Sequence, residues 1–600
     1  MSKYRILKPT KQKLNNKKLF GFDIETYGQK NDFLLASIVG ENYEKLFYTK
    51  EEFIKEIRTN TIFKDSIIYA TNLGFDFFGI YFNEGGFRLC HRGGRLLSAK
   101  SFFYKKKFQA NGKVKTKSLK SITFIDSMNY AMLSVKEMGE NIGMPKLEHP
   151  FFLGKMPKNE EEWEIMRKYN IQDSTITLNF MIRLKEGFEL LGATMGMTLA
   201  STSMSLFKNK YLDKDYILPS SDNILEHFKS YYGGRTEAFK KGVIRDYYYY
   251  DFNSLYPSVM RDNVFPNPST LRISSLGDLN LIELYEGCSD VLIECPYMRY
   301  PLLPYRKDNG RVIFPYGKFR GWYTHIELRE ALKLGYKIIK IFKTHYFSKV
   351  CKPFESFVND LYELRKKYKK EKSIMQYVIK ITMNSLYGKF GQRFLKLDNW
   401  IHESLFDEKE FLNTLNIETI GNYVRVTKNT EPSTFCIPIW ASYVTAYGRL
   451  KLYNEIIQHN PVYVDTDSLL IDHEIKSSDK LGDVKLEKNI VFGFIVRPKF
   501  YATRDSNGEE EPHIKGLGTK INFQEFENIL INPVKRYTKF AKFKEALRRG
   551  LVPNEIIDIE KNFSLEDEKR EWKGKFNKLK LQDSEPLYIE DENEQKENNF

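Results

Sequence analysis

The chain has 600 residues, 42% of them hydrophobic, and a net charge of +16 at neutral pH. That length exceeds a single core and predicts two to four domains, while the apolar content excludes a disordered chain and no run reaches the roughly 18 apolar residues of a membrane span. The positive balance points to a polyanionic partner, and 38 Tyr and 45 Phe supply surfaces on which bases could stack.

The five cysteines show no CxxC pair and no histidine at ligand spacing, so neither a zinc site nor a disulfide framework is expected. The basic N-terminus leads into no signal-peptide core. A soluble intracellular protein without a membrane partner is therefore the expectation.

Residues 1–18 form a basic arm. LFGFDIET, residues 19–26, reads as a buried strand with Asp23 and Glu25 at i and i+2 on one face. IIYATNLGFD, from Ile67, reads as another strand, carrying Asp76. EEEWEIMRKYNIQDSTITLNFMIRL, from Glu160, has helical periodicity and an acidic first turn, and its Tyr169 and Asp173 share a face at i and i+4. Singly, each acid also reads as an ordinary strand-end or helix-surface group. Jointly, four acids could hold two metal ions while the Tyr hydroxyl orients an attacking water.

From about Tyr211 a second mixed series begins. YYYYDFNSLYPSV reads as a strand, ending in Asp251, that runs into a Pro-marked turn or helix start. Residues 354–388 predict a helical hairpin, because Phe354, Phe357, Val358 and Leu361, then Ile374, Tyr377, Val378 and Ile381, repeat at helical spacing around a basic KKYKKEK tip. In KITMNSLYG, Lys380, Asn384 and Tyr387 share one helical face. That face could hold a triphosphate and a sugar or base, or be an amphipathic helix with a snorkelling Lys.

YVDTDS, residues 463–468, would place Asp465 and Asp467 on one face of an extended strand, where two like charges call for a divalent cation. DTDS alone also reads as a turn. With Asp251, Asp467 could clamp two ions for phosphoryl transfer. Beyond about residue 500 a smaller α+β region is expected, and from Asp583 an acidic, apolar-poor tail reads as disordered.

In order and spacing, DFNSLYPSV, KITMNSLYG and YVDTDS resemble the three polymerase motifs of family B DNA polymerases. DIET, NLGFD and YNIQD resemble the three motifs of DEDD-type 3′–5′ exonucleases, the proofreading domain of the same family. The likeness covers roughly residues 20–520 and points to the protein-primed branch of phages, viruses and linear plasmids. It implies an α/β and α+β multidomain fold: an RNase H-like exonuclease domain followed by a right-hand polymerase of palm, fingers and thumb. The implied division is exonuclease 1–190, palm 191–353 and 391–500, fingers 354–390, thumb 501–582 and tail 583–600. Insertions of that branch would lie at 311–355, which also reads as ordinary palm, and at 396–432, which has room for a β-hairpin.

The resemblance also implies roles. Asp251, the Phe252 backbone carbonyl and Asp467 would bind metal, with Asp465 beside them. Tyr256 would lie under the incoming sugar and exclude a 2′-hydroxyl. Lys380 would bind phosphate, Tyr387 would line the nucleotide pocket with Asn384, and Arg365 and Lys369 are further phosphate candidates. KFY at Lys499–Tyr501 resembles the KxY motif that holds the primer end, TAYGR at Thr445–Arg449 the Tx2GR template-contacting motif, and YYGG, with Tyr231, Gly233 and Gly234, the YxGG motif between the two halves. Asp23, Glu25, Asp76 and Asp173 would bind the exonuclease metals, and Asn72 and Phe75 would touch the primer strand. Asp126 and Ser127 sit where the family has another strand-contacting motif, with Met128 in place of the family's Leu. The exonuclease's supporting lysine is not placed among Lys136, Lys155 and Lys168.

The implied cofactors are two Mg2+ or Mn2+ ions per active site. The implied partners of a monomeric enzyme are template and primer DNA, dNTPs and a terminal protein that supplies the priming hydroxyl. Priming without a terminal protein, an exonuclease with a degenerate polymerase half, and a single-stranded DNA coat are the alternatives.

Overall fold

The apolar run within Lys18–Tyr27 forms the strand around which the N-terminal half is built. It pairs antiparallel with Asp32–Gly40 and parallel with Ser66–Ala70, which in turn pairs parallel with Ile122–Asp126. Every residue of Ser66–Ala70 is buried, as a strand covered on both faces requires. Ile68, Phe22 and Phe124 face the helices Lys50–Thr59 and Leu73–Tyr81, while Ile67, Tyr69 and Ile125 join Ile176 and Phe180 of the helix Glu160–Leu191. That long helix begins at Asn159, whose side chain accepts from the Glu162 N–H, and stops at Gly192, where φ is +102°. It approaches the sheet so closely that a Cβ on Gly21 would lie 2.0 Å from the Ser174 carbonyl oxygen. The computed structural model describes residues 5–101, 103–108, 114–392, 397–405, 416–428 and 432–590.

The strand expected throughout IIYATNLGFD ends at Ala70. Asn72 is left-handed, with φ +64°, and Leu73–Tyr81 is helical, so Asp76 stands in the first turn of a helix. A short polar side chain that tolerates this backbone makes the switch, which hydrophobicity alone does not show.

The second half is built on a sheet ordered Thr236–Ala238, Tyr463–Asp465, Ser468–Ile471, Tyr247–Phe252, Val484–Arg497, Lys240–Ile244, Gln582–Pro586, Arg570–Trp572. Phe500–Asp505 and Glu510–Ile514 continue it from the edge of Val484–Arg497, so this sheet runs on past residue 500. Residues 311–355 do not stand apart as a module: Tyr316–Thr324 and Lys337–Phe347 flank Glu286–Cys295 in a five-stranded sheet. Two antiparallel helices, Glu355–Lys370 and Met375–Phe390, rise beside these sheets on a base of Phe357, Val358, Leu361, Val378 and Ile379.

Two segments of the second half return to the first. Leu397–His402 pairs antiparallel with Phe87–Arg92 and, with Asn416–Ile420 and Tyr423–Lys428, extends the N-terminal sheet. Phe543, next to the hairpin Val534–Phe540/Ile556–Asn562, stacks on Phe78 at 4.3 Å and on His91 at 4.9 Å. Burying such a ring contributes about 1.5–3 kcal/mol.

The expectation of a disordered tail from Asp583 fails for its described part. Gln582–Pro586 pairs with Lys240–Ile244, and Tyr588–Glu590 adds a parallel strand to the five-stranded sheet. Asp583 accepts two hydrogen bonds from Arg299, at 2.7 and 2.9 Å. Backbone pairing and that arginine hold a segment whose composition carries little apolar drive. Residues 591–600 lie outside the described residues.

Candidate active sites

In the second half, Asp251 is the next-to-last residue of the strand Tyr247–Phe252 and lies opposite Ser468, the first residue after a tight turn. Thr466 has φ +66°, and the Asp467 N–H donates to the Asp465 carbonyl at 2.7 Å. YVDTDS is thus strand, turn and strand, and its acids diverge. Asp465 accepts from Lys499 Nζ at 2.8 Å on both oxygens and from Thr236 at 2.9 Å. Asp465 is already neutralised and does not line the cleft that Asp251 and Asp467 share. The expectation that both acids of the motif face one metal is corrected accordingly.

Among the described residues, no lysine bonds to Asp251 or Asp467 in this way. Burial, then Asp467 and Glu487, push the Asp251 carboxyl up to about 7, and burial raises Asp467 as well. Asp251 Oδ1 is buried without a hydrogen-bond partner among the described residues. Oxygen donors with uncompensated charge at a cleft floor fit a hard divalent cation.

The cleft, of about 780 Å3, has a cationic wall: Lys380 from the helix Met375–Phe390, and Arg365 and Lys369 from the helix Glu355–Lys370. Arg365 Nε is buried without a hydrogen-bond partner among the described residues. Asn384 and Tyr387 line the same wall, and Tyr387 packs on Tyr256 with ring centroids 4.5 Å apart. Tyr256 is backed by glycines, since a Cβ on Gly448 would lie 3.0 Å from its ring and one on Gly234 2.9 Å from its hydroxyl. Gly233, at φ +86°, takes a backbone that a larger residue resists. Tyr231 packs on Gly391, where a Cβ would meet its ring at 2.7 Å. Lys499 is left-handed, at φ +59°, and its N–H donates to the Tyr463 hydroxyl at 3.0 Å; Tyr501 stacks on His513 at 5.3 Å.

TAYGR differs from its expected role. Thr445 is buried and donates to the Ala441 carbonyl at 3.1 Å. Arg449 is also buried, donates to Glu327 Oε1 at 2.6 and 3.0 Å, and donates to the Gly233 carbonyl. Arg449 holds the YYGG loop in place.

In the first half, oxygens of Asp23, Glu25 and Asp173 lie within 4.8 Å of one another. Asp23 also accepts from Asn170 at 2.7 Å. Asp76 Oδ1 accepts from the Ile24 N–H at 3.3 Å, while Asp76 Oδ2 and Asp173 Oδ1 are buried without hydrogen-bond partners among the described residues. Burial, then Asp76, Glu25 and Asp173, hold the Asp23 carboxyl far above its usual range, and burial with Asp173 pushes Glu25 up to about 8. This donor set also fits divalent cations. Tyr169 shares a hydrogen bond with His149 Nδ1 at 2.7 Å.

The lysine here is Lys146, not Lys136, Lys155 or Lys168. It bonds to Asp173, and its ammonium lies 4.4 Å from the Tyr169 ring centroid. The loop containing Lys146 has no periodic signal to mark it. Asn170, one residue after Tyr169, was equally unmarked.

Ser127 is buried, with its hydroxyl 3.1 Å from that of Thr71, so the strand contact expected of it is corrected to a packing role. Asp126 accepts from the Asn72 N–H at 3.2 Å and fixes that left-handed residue. Asn72 and Phe75 border a second cleft, of about 660 Å3, that also includes Arg95, Lys539, Lys542 and Lys561.

Residues 30–473 match the family described as DNA polymerase type B, organellar and viral. A probable DNA polymerase of Neurospora intermedia is 27% identical over 414 residues, covering 63% of this chain and 41% of that protein. One from Ascobolus immersus is 28% identical over 397 residues, covering 62% of this chain and 32% of that protein, so the chain spans less than half the length of these fungal relatives. The DNA-directed DNA polymerase of Enterobacteria phage PRD1 is 26% identical over 478 residues, 76% of each chain. Among solved structures, Phi29 DNA polymerase complexed with primer-template DNA and incoming nucleotide substrates superposes with a TM-score of 0.68, at 17% identity, over 92% of this chain and 100% of that one. The fold is therefore shared with that DNA polymerase over nearly the whole chain.

Proposed function

Because the chain belongs to the organellar and viral type B DNA polymerases, we propose that it copies a DNA template and proofreads the product, with synthesis at Asp251–Asp467 and 3′–5′ degradation at Asp23, Glu25, Asp76 and Asp173. One observation carries the reading: a single cleft sets unneutralised carboxylates opposite Lys380, Arg365 and Lys369, the charge pattern of a site for a nucleoside triphosphate.

Asp251, Asp467 and the Phe252 carbonyl would hold Mg2+ or Mn2+ at the cleft floor, and the four acids of the first half would do so in theirs. When bound, such ions ease deprotonation of an attacking hydroxyl or water and neutralise phosphate charge. Lys380, Arg365 and Lys369 bind the triphosphate and orient its α-phosphate toward the primer 3′-hydroxyl. Tyr256 presents its face to the sugar, and Gly448 behind it leaves the ring no room to retreat before a 2′-hydroxyl. Template pairing selects the base, and the basic surface binds backbone phosphate.

Lys499 plays a part different from a free cation: it neutralises Asp465 and stiffens the turn that aims Asp467. In the exonuclease site the Tyr169 hydroxyl orients the attacking water, and Lys146 restrains Asp173. Priming from a terminal protein's hydroxyl is the reading that the resemblance to the protein-primed branch favours.

Labelled dNTP offered with a primed template should be incorporated with Mg2+ and not with EDTA. Offered with a candidate terminal protein and no primer, it should become covalently attached to that protein. Failure of the first arm removes the polymerase reading, and failure of the second alone leaves primer extension.

A further inference from the structure

Distant from both carboxylate sites in character, His227, Cys288 and His345 meet in the protein interior. One nitrogen from each histidine and the Cys288 sulfur lie within 4.8 Å of one another, and all three residues are buried. They come from three elements: the helix Ser221–Lys229, the strand Glu286–Cys295 and the strand Lys337–Phe347. Cys288 and His345 are direct cross-strand partners, so their side chains leave the sheet on one face, toward the helix that carries His227. The two imidazoles approach nitrogen to nitrogen, His345 Nδ1 to His227 Nε2 at 3.0 Å, with ring planes 81° apart. The other nitrogen, His345 Nε2, is fully buried and has no hydrogen-bond partner among the described residues, and a Glu226 oxygen stands 2.9 Å away.

We infer that His227, Cys288 and His345 form a Zn2+ site, with the Glu226 carboxylate beside it, that pins the helix Ser221–Lys229 to the five-stranded sheet. A thiolate and two imidazoles are borderline-soft donors that suit Zn2+ and not Mg2+. Around a tetrahedral zinc, two nitrogens stand about 3.3 Å apart and a nitrogen and sulfur about 3.6 Å. The nitrogens are already near that separation, and the 4.8 Å bound requires a contraction of at most about 1.2 Å. On binding, Cys288 gives up its thiol proton to solvent and the sulfur donates to the metal. Glu226 supplies negative charge from the edge, where it also accepts from Lys343 at 2.7 and 2.8 Å.

The position gives the site a consequence. The helix it anchors leads directly into Tyr231–Gly234, and Ser230, at its end, donates to Ser442 at 3.0 Å. A metal here would fix the loop that abuts Tyr256 and the Thr466 turn, by a structural staple separate from the catalytic ions.

Because the cluster is enclosed, metal enters while the chain folds and must be offered during expression. The full chain produced in cobalt-supplemented medium and purified in excess Mg2+ should show a thiolate-to-cobalt charge-transfer band in the near ultraviolet. C288S should lack it. Zinc-grown protein should retain about one equivalent of zinc more than C288S by elemental analysis, and a higher unfolding midpoint. Mg2+ fills the carboxylate sites, and cobalt bound there gives no thiolate band. If C288S does not fold, the wild-type chain still decides: no thiolate band and no retained zinc would overturn the site.

Discussion

Replacing Glu327 by Ala should destabilise the polymerase half strongly, because Arg449 would be left charged and unpaired in the interior. The pair is 1% and 2% exposed, its guanidinium donates twice to one carboxylate oxygen, and Thr324 donates to the other at 2.7 Å. Breaking a buried ion pair by removing one partner costs about 3–5 kcal/mol, or roughly two to four powers of ten in the folding equilibrium. Removing both charges together, as in Glu327→Met with Arg449→Met, should recover most of that loss, since neither charge then remains buried alone. Pulse proteolysis across a urea series reads the stability, and fluorescence anisotropy with a primed template reads DNA binding. The expected pattern is a large shift to lower urea for E327A and R449A, with template affinity intact wherever the chain is folded. An R449A chain that keeps its stability and loses template affinity would restore the template-contacting role and refute the packing role.

Other expectations follow from the same geometry. D465N should slow synthesis moderately by freeing Lys499, whereas D467N should reduce it by about three powers of ten or more; equal effects in single-turnover incorporation would contradict the division between the two acids. Tyr256→Val should admit ribonucleotides at a measurably higher ratio to deoxynucleotides in competition assays, and an unchanged ratio would count against the steric role given to that ring. Without metal, Asp251 and Glu25 keep their protons up to about 7 and about 8, whereas unfolded carboxylates ionise near 4. Between those values the folded chain binds more protons, so its stability falls as pH rises through that window. Divalent cations need the ionised forms, so millimolar Mn2+ should raise the unfolding midpoint more at about pH 8 than at about pH 5.5; equal shifts would argue against carboxylate ligation.

Local pattern carried much of the site and little of its support. Asp251, Lys380 and Tyr387 stand out because neighbours in a strand or along a helix face share a periodicity, and Asp23 with Glu25 does so as well. Asp465 was misread because one left-handed residue, Thr466, turns the strand and sends its carboxylate to Lys499, 34 positions away. Lys146 reaches Asp173 from a loop, and Arg449 finds Glu327 across 122 positions, so neither partner is visible in spacing. The histidine pair shows the same limit: His227 and His345 are separated by 118 positions and meet only because a helix packs on the sheet. The strand order was illegible for a related reason. Residues 396–432 have room for a β-hairpin, yet the strand Leu397–His402 within them pairs with Phe87–Arg92, from the first half of the chain.

The central claim is that one chain holds two separate phosphoryl-transfer sites, and the most direct measurement follows a labelled primer on a template with dNTPs in three proteins. The wild type should extend the primer and, without dNTPs, degrade it from the 3′ end. D467N should only degrade it, and D23A/D76A should only extend it. Loss of both activities in either variant at unchanged fold, or extension surviving in D467N, would contradict the account.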